Sequence, residues 1–545
     1  MPEPLGYVLS GATTTRAVVE LTRKGEERIA EGMLIVIEGS RGSLLGRVDQ
    51  VTVHNEFYRP GDAWSPARRE GWTPPRELSR YSLADVTIIG SVGKGVSEAR
   101  WPPEPGDPVY GFDETEHGLA ALYGVEQGEP GVVWYGSLLG YKALPLALSV
   151  EALTMHLGVF GETGSGKSYG FGYLLELLSR IPLGDEEYEA LPAVVVDANG
   201  DYIDYWADAV RGRRLGRYRC VWRLVSSRSS VRYKPYARPY TIDLEVFTAR
   251  ELAEFIVAYK TGGWELNELQ VAGLERVLGD LEAEGYTHTE LLTERVEAVY
   301  ARIDELVARK KMHHQTAKAI KMAVEKFYND LVKQQSIIAR NPTINREFID
   351  SLVSSPSLAI LDFSAEGSPG TPLAVRQLIV AYLSRLLYTV FTEYKVRGSD
   401  AYILYALEEA QNYAPNKKRY PVPWSLARDY LALIATQGRK FGICLAVISQ
   451  RPVYVDPVIV SMINTFIIHR LSAEDVEYVD RVAGGLPPSL KRKLTTLPRG
   501  VALIVGQANM LKTPVLVRVG ERSTSHRIGY TGIVDTLRRI SKLGA

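Results

Sequence analysis

At 545 residues the chain is long enough for roughly two to four domains of ordinary size, each with its own core. Its 64 Lys plus Arg balance 64 Asp plus Glu, which excludes a global basic field for nucleic acid; such a partner has to meet a local patch or an oligomer's central channel. No uncharged apolar run of about 18 residues is present, the N-terminus lacks a basic-then-apolar leader, and two cysteines, Cys220 and Cys444, are too few for a disulfide framework or a cysteine metal site. The expectation is a cytoplasmic protein in reducing surroundings, without membrane contact. Many Arg, Glu and Tyr with few Met and Cys fit a thermophile.

In chain order, residues 1–125 hold short β-rich runs such as "RAVVELT", "MLIVIEG" and "ADVTIIG" between Gly and Pro breakers, which predicts a small antiparallel barrel or sandwich. Over 126–248 "HLGVFG" and "LPAVVVDANG" read as buried strands around the helix "KSYGFGYLLELLSRI", the alternation of a parallel sheet. Residues 249–350 carry apolar positions three and four apart in charged stretches, a helical insertion. Strands return over 351–520 in "LAILDF", "AYILYAL", "GICLAVIS", "TFIIHRL" and "GVALIVG", so the interrupted sheet resumes. Residues 521–545 form an Arg-rich arm. The fold class is α/β, a P-loop NTPase core with an N-terminal β-domain and a helical insertion.

The segment "GETGSGKSY" fills the pattern G-x-x-x-x-G-K-S/T between a predicted strand and a predicted helix. Gly161, Gly164 and Gly166 let backbone N–H groups curl around phosphates, with Glu162, Thr163 and Ser165 between them and Tyr169 following. Lys167 reaches the β and γ oxygens and Ser168 can hold Mg²⁺, so ATP and Mg²⁺ are the expected ligands. Hydrolysis also needs acids. In "YILYALEEAQNYAP" a strand ends on Glu408, placed to hold the metal through water, and Glu409, placed to polarise the attacking water.

Three further groups follow, two of which have two readings. Asp197 in "VVVDANGDY" either orients the metal shell or the water, or caps an Asn-Gly turn. In "VISQRP" Gln450 is placed to sense the γ-phosphate, with Arg451 as a charged neighbour. Arg439 and Lys440 in "ATQGRKFG" are either partners of a helix C-terminus or cations supplied to an adjacent subunit's transition state.

These residues together resemble one family, the HerA subgroup of HerA/FtsK ATPases, from about residue 5 to about 520. The resemblance is carried by "GRVDQV", "PPEPGDPVY", "HLGVFGETGSGKS", "DANGDY", "EEAQNYAP", "GRKFGICLAVISQRP", "NTFIIHRL" and "LPRGVALIVG". It implies an N-terminal HAS barrel, a RecA-like core, and a homo-hexameric ring around double-stranded DNA. It also implies a NurA-like nuclease partner in end resection and recombinational repair. Two alternatives stay open: a nucleotide-switched ring that gates a nuclease without pumping DNA, and a related ATPase that moves another polymer. Met155, Asp201 and Gln411 depart from the family pattern, at positions where Arg, Glu and His are common.

For DNA, Lys417, Lys418 and Arg419 in "NKKRY" follow Glu409 closely and form the preferred pore loop. The rival segment, 211–240, interleaves Arg with Tyr and Trp and reads rather as a strand pair at a subunit interface. His313 and His314 read as a surface pair.

Overall fold

A computed structural model describes residues 3–524, except 74–76, 78, 113, 142, 263–265 and 422–424. The predicted arm therefore lies outside the described residues beyond Thr524.

Alternation of side chains decides the N-terminal region. β1 (Gly6–Val8), β2 (Arg16–Leu21), β3 (Leu34–Gly39), β4 (Gly42–Asn55), β5 (Arg80–Gly93), β6 (Gly95–Ser97) and β7 (Pro108–Gly111) pair antiparallel in the order β2-β1-β7-β3-β4-β5-β6. β2 also pairs with β5, from Arg16 opposite Thr87 to Glu20 opposite Leu83, so six strands close into a barrel rather than a sandwich. Closure needs curvature. It comes from the length of β4 and β5, 14 residues each, and from register shifts in their pairing at Leu45/Gly46 and Val48/Gln50. Gly90 allows the close pass of β6, since a Cβ there would lie 2.1 Å from the Ser97 carbonyl oxygen. Val19, Ile35, Ile37, Val48, Val86 and Val109 fill the interior.

β8 (Val132–Leu138), β9 (Pro145–Ser149), β10 (Leu157–Phe160), β13 (Ala193–Asp197), β14 (Val221–Val225), β15 (Ala237–Pro239), β16 (Leu358–Asp362), β17 (Ile403–Glu408), β18 (Ile443–Ser449), β19 (Thr465–Ile468), β20 (Val501–Gly506) and β21 (Val515–Arg518) form one sheet. A small ribbon of β11 (Ile181–Gly184) and β12 (Glu187–Glu189) stands apart from it. The order is β15-β14-β16-β13-β17-β18-β10-β19-β20-β21-β8-β9. Strands β15 to β19 in that order run parallel and the remainder antiparallel. Every residue of β10, β13, β16, β17 and β18 is buried, as expected where helices cover both faces and the strands are continuous apolar runs. The parallel strands end on one edge, which therefore collects the residues that follow β10, β13, β16, β17 and β18.

Between β15 and β16 the chain is helical, from Ala249–Lys260 to Arg346–Ser354. Capping boxes at Thr248/Glu251 and Thr287/Glu290 fix two of the helix starts. Val271, Leu274, Leu278 and Leu281 join the core cluster. The helix Leu373–Val396 is long and apolar enough to cross a membrane by length and composition, but 67% of its apolar window is buried in protein. Its Arg385 pairs with Glu251 of the helical segment at 3.2 Å. Both cysteines are free; Cys444 is buried and its Sγ–H donates to the Leu153 carbonyl at 3.0 Å.

Candidate nucleotide-hydrolysis site

The loop from β10 to the helix Lys167–Leu178 is shaped by glycines. Gly164 and Gly166 adopt φ of 76° and 106°, and a Cβ on Gly161 would sit 2.6 Å from Ser165 Oγ and 2.7 Å from His469 Cβ. Buried Ser165 donates its hydroxyl to the Glu162 carbonyl at 2.7 Å and so holds the loop's shape from within. The helix starts without a side-chain cap, leaving its first N–H groups directed at whatever occupies the loop. Tyr169 accepts from the Arg522 backbone N–H at 2.9 Å, and the Arg522 side chain pairs with Glu176 at 3.4 Å; the last described residues thus clasp the P-loop helix.

Facing this loop are the two acids at the end of β17, Glu408 within the strand and Glu409 just after it. Glu408 is fully buried; its Oε1 accepts from Ser168 Oγ at 3.0 Å and its Oε2 from the Ala198 N–H at 3.2 Å. Burial first, then the charge of Asp197, pushes the Glu408 carboxyl well above its ordinary value against the opposing pull of Lys167. Oxygen donors gathered under excess negative charge suit a hard divalent cation, and the residues present fit Mg²⁺.

Glu409 sits at φ 51°, ψ 47°, the left-handed region, which turns its carboxylate out of the strand direction. Its Oε1 accepts from Gln450 Nε2 at 2.6 Å and its Oε2 from Gln411 Nε2 at 2.5 Å, while Gln411 Oε1 accepts from Ser449 Oγ at 2.7 Å. Gln450 reaches the P-loop as well, its Oε1 accepting from Thr163 Oγ1 at 2.6 Å. Lys167 Nζ lies 3.7 Å from Glu409 Oε1, both side chains nearly buried. Ser168 with Glu408, and Thr163 and Lys167 with Gln450 and Glu409, are thus brought together at one edge of the sheet.

Other residues singled out in the sequence fall elsewhere. Asp197 spends both oxygens on backbone: Oδ1 accepts from the N–H groups of Asn199, Gly200 and Asp201, Oδ2 from Tyr202 at 2.9 Å. These bonds favour the turn-capping reading, and burial with the adjacent Asp362 pushes its pKa up to about 6. Arg451, the charged neighbour of Gln450, has its charge balanced by Glu474 and Asp475, at 2.7 and 2.6 Å, and lies over the Tyr454 ring. Arg419 pairs with the same Glu474 at 3.1 Å, whereas exposed Lys417 and Lys418 have no ion pair among the described residues.

Arg439 and Lys440 occupy the turn Gly438–Phe441, just before β18 begins, and are exposed. The sheet edge where β18 and β10 begin is opposite the edge carrying Lys167. There Arg439 reinforces burial in lowering the His156 pKa to about 4. Met155 stands at the same edge, its carbonyl accepting from Asn464 Nδ2 at 3.0 Å. Of the other departures, Asp201 adds charge beside Glu408, and Gln411 orients Glu409.

His469 escaped the sequence analysis. It follows β19, whose Ile468 pairs with Phe160, so the ring lies against Gly161 and Gly170 with neither nitrogen hydrogen-bonded among the described residues. Burial and the nearby Lys167 lower its pKa to about 4. A histidine closing the apolar run "TFII" was the available signal.

The family model for the central domain of helicase HerA matches residues 133–387. A DNA double-strand break repair helicase HerA of Sulfurisphaera tokodaii is 23% identical over 528 residues, covering 94% of this chain and 92% of that one. Over most of its length this chain is similar to helicases of the HerA family. The corresponding HerA helicase of Pyrococcus furiosus is 26% identical over 480 residues, 80% of this chain and 77% of its own. Among solved structures, VirB4 of Thermoanaerobacter pseudethanolicus aligns at 12% identity and a TM-score of 0.48, covering 74% of this chain and 99% of that one.

Proposed function

We propose that this chain is a member of the HerA family and an ATP-driven DNA translocase or helicase. It works as a hexameric ring around double-stranded DNA, with a NurA-like nuclease, in end resection and recombinational repair. The observation that carries the hydrolytic part is the pair of hydrogen bonds by which Gln450 joins Thr163 of the P-loop to Glu409. The DNA part is supported by the curated relatives, which are named as DNA double-strand break repair helicases.

The chain's own groups supply the steps. The P-loop N–H groups and Lys167 hold the phosphates of ATP; drawn to the γ-phosphate, Lys167 leaves the 3.7 Å contact that neutralises Glu409. Gln411 and Gln450 keep the Glu409 carboxylate aimed at the attacking water, whose proton it accepts as the oxygen bonds to phosphorus and ADP departs. Ser168 and Glu408 would hold Mg²⁺, which supplies positive charge to the β and γ oxygens. Gln450 touches both the loop and the base, so loss of the γ-phosphate changes its position, and Arg439 of a neighbouring subunit adds charge to the transition state. Glu409→Gln is expected to retain ATP affinity while turnover falls by about two decades or more. Near-wild-type turnover removes Glu409 from the role.

A further inference from the structure

The loop between β14 and β15 presents a second concentration of chemistry that the hydrolytic site does not use. Arg228, Arg232 and Lys234 lie within seven residues of each other, and none has an ion pair among the described residues. By contrast Arg250 faces Glu254, Glu268 and Glu275, and Arg302 faces Asp280, Glu284 and Glu305. Asp362 and Glu366, on the segment that anchors the loop, are taken by buried Arg223 at 2.7 and 2.9 Å. The patch is therefore uncompensated positive charge on a chain of zero net charge.

Among these cations Tyr233 is 83% exposed and Tyr236 44% exposed. The backbone beneath them is firmly held. Ser226 N–H donates to Gly367 O at 2.8 Å, Ser229 Oγ to Glu366 O at 2.9 Å, Ser227 Oγ to Gln335 O at 2.7 Å, and Trp206 Nε1 to Pro235 O at 3.0 Å. The Arg232 guanidinium lies over the Tyr233 ring at 4.5 Å, and an anchored loop that keeps such a cation-backed ring in water beside cations without ion pairs is preorganised for a polyanion with flat bases. The loop follows β14 on the same sheet edge as the P-loop. Residues 211–219 of the basic segment precede β14 at the other edge, where Arg211 and Arg213 lie within 4 Å of Asp208.

We infer that this loop is a DNA contact, in which Arg228, Arg232 and Lys234 hold phosphates and Tyr233 stacks on a base or sugar. The inference rests on the translocase reading and names a place where the strand is gripped.

The test uses the full chain. Anisotropy of labelled duplex and single-stranded DNA is followed against salt for wild type, for Arg228→Gln/Arg232→Gln/Lys234→Gln and for Tyr233→Ala, with native mass on each. Each lost phosphate contact lowers the slope of log affinity against log salt by about 0.9 on duplex and about 0.7 on single strands, so the triple variant is expected to lose about 2 to 3 on one of them. The single variant Lys234→Gln, expected to lose about 0.7 to 0.9, guards against a fold defect in the triple. Tyr233→Ala is expected to weaken binding roughly tenfold: on single strands alone if it stacks on unpaired bases, on both if it packs on the backbone. Unchanged slopes in the triple variant overturn the inference, as does loss of binding that coincides with loss of subunits by mass, which assigns the loop to a subunit interface. No loss with Tyr233→Ala overturns the stacking role. Wild type that binds no DNA at low salt contradicts the translocase reading itself, a result distinct from the others.

Discussion

Glu409 owes its position to three neighbours, one of which departs from the family pattern. Gln411 holds one carboxylate oxygen of Glu409 and ties it to Ser449, so Gln411→Ala frees the base while leaving the P-loop intact. Steady-state assays are expected to show turnover down about tenfold, with ATP affinity from a fluorescent-nucleotide titration little changed. His469 makes a prediction in pH. Its folded pKa near 4 lies below the ordinary 6.5, so the unfolded chain binds the extra proton first; its contribution to stability is full above about 6.5 and is lost as pH falls toward 4. The loss amounts to about 3 kcal/mol. Melting curves of wild type and His469→Gln at pH 7 and pH 5 should show the wild type losing more stability on acidification; parallel losses contradict a neutral buried ring. Lys167, Ser168, Glu408 and Glu409 are legible in the sequence because phosphate and metal chemistry restrict residue type and spacing. His469 and the role of Gln411 are not, because their contacts arise only when the ends of β17, β18 and β19 are brought beside the P-loop.

At the scale of elements, the buried parallel strands announce themselves as apolar runs, and the helical segment by its three- and four-residue spacing. What those patterns do not encode is long-range pairing. The β2–β5 contact that makes a barrel, and the return of β8 and β9 to the far antiparallel edge of the large sheet, depend on partners distant in the chain. The same limit applies to Arg223 on β14, which reads as one basic residue among many yet is buried against Asp362 on β16 and stacked on Trp206 at 4.8 Å. Asp362 lies opposite Asp197, whose turn presents the Ala198 N–H to Glu408. Arg223→Met is therefore expected to destabilise by about 3–5 kcal/mol in denaturant melts, since it leaves two buried carboxyls unopposed. Adding Asp362→Asn should recover part of the loss; no recovery places the effect in packing against Trp206 instead.

At the scale of the molecule, Lys167 and Glu409 lie on the carboxyl edge of the sheet and Arg439 on the amino edge, so the proposed role of Arg439 requires a neighbouring subunit. Arg439→Ala is expected to bind ATP and assemble while hydrolysis falls by a factor on the order of a thousand. Mixed with Lys167→Ala subunits it should regain activity that neither variant has alone, because some interfaces then pair an intact Lys167 with an intact Arg439. No regain in rings shown by mass to be mixed leaves Arg439 acting within its own chain.

Displacement of a triplex-forming strand from duplex DNA reads out whether the hydrolysis proposed here moves DNA. Wild type is expected to displace the third strand with ATP, and neither wild type with a non-hydrolysable analogue nor Glu409→Gln with ATP should do so. ATP hydrolysis stimulated by DNA without any displacement, together with nuclease activation by the analogue alone, would contradict translocation and describe a nucleotide-switched scaffold instead.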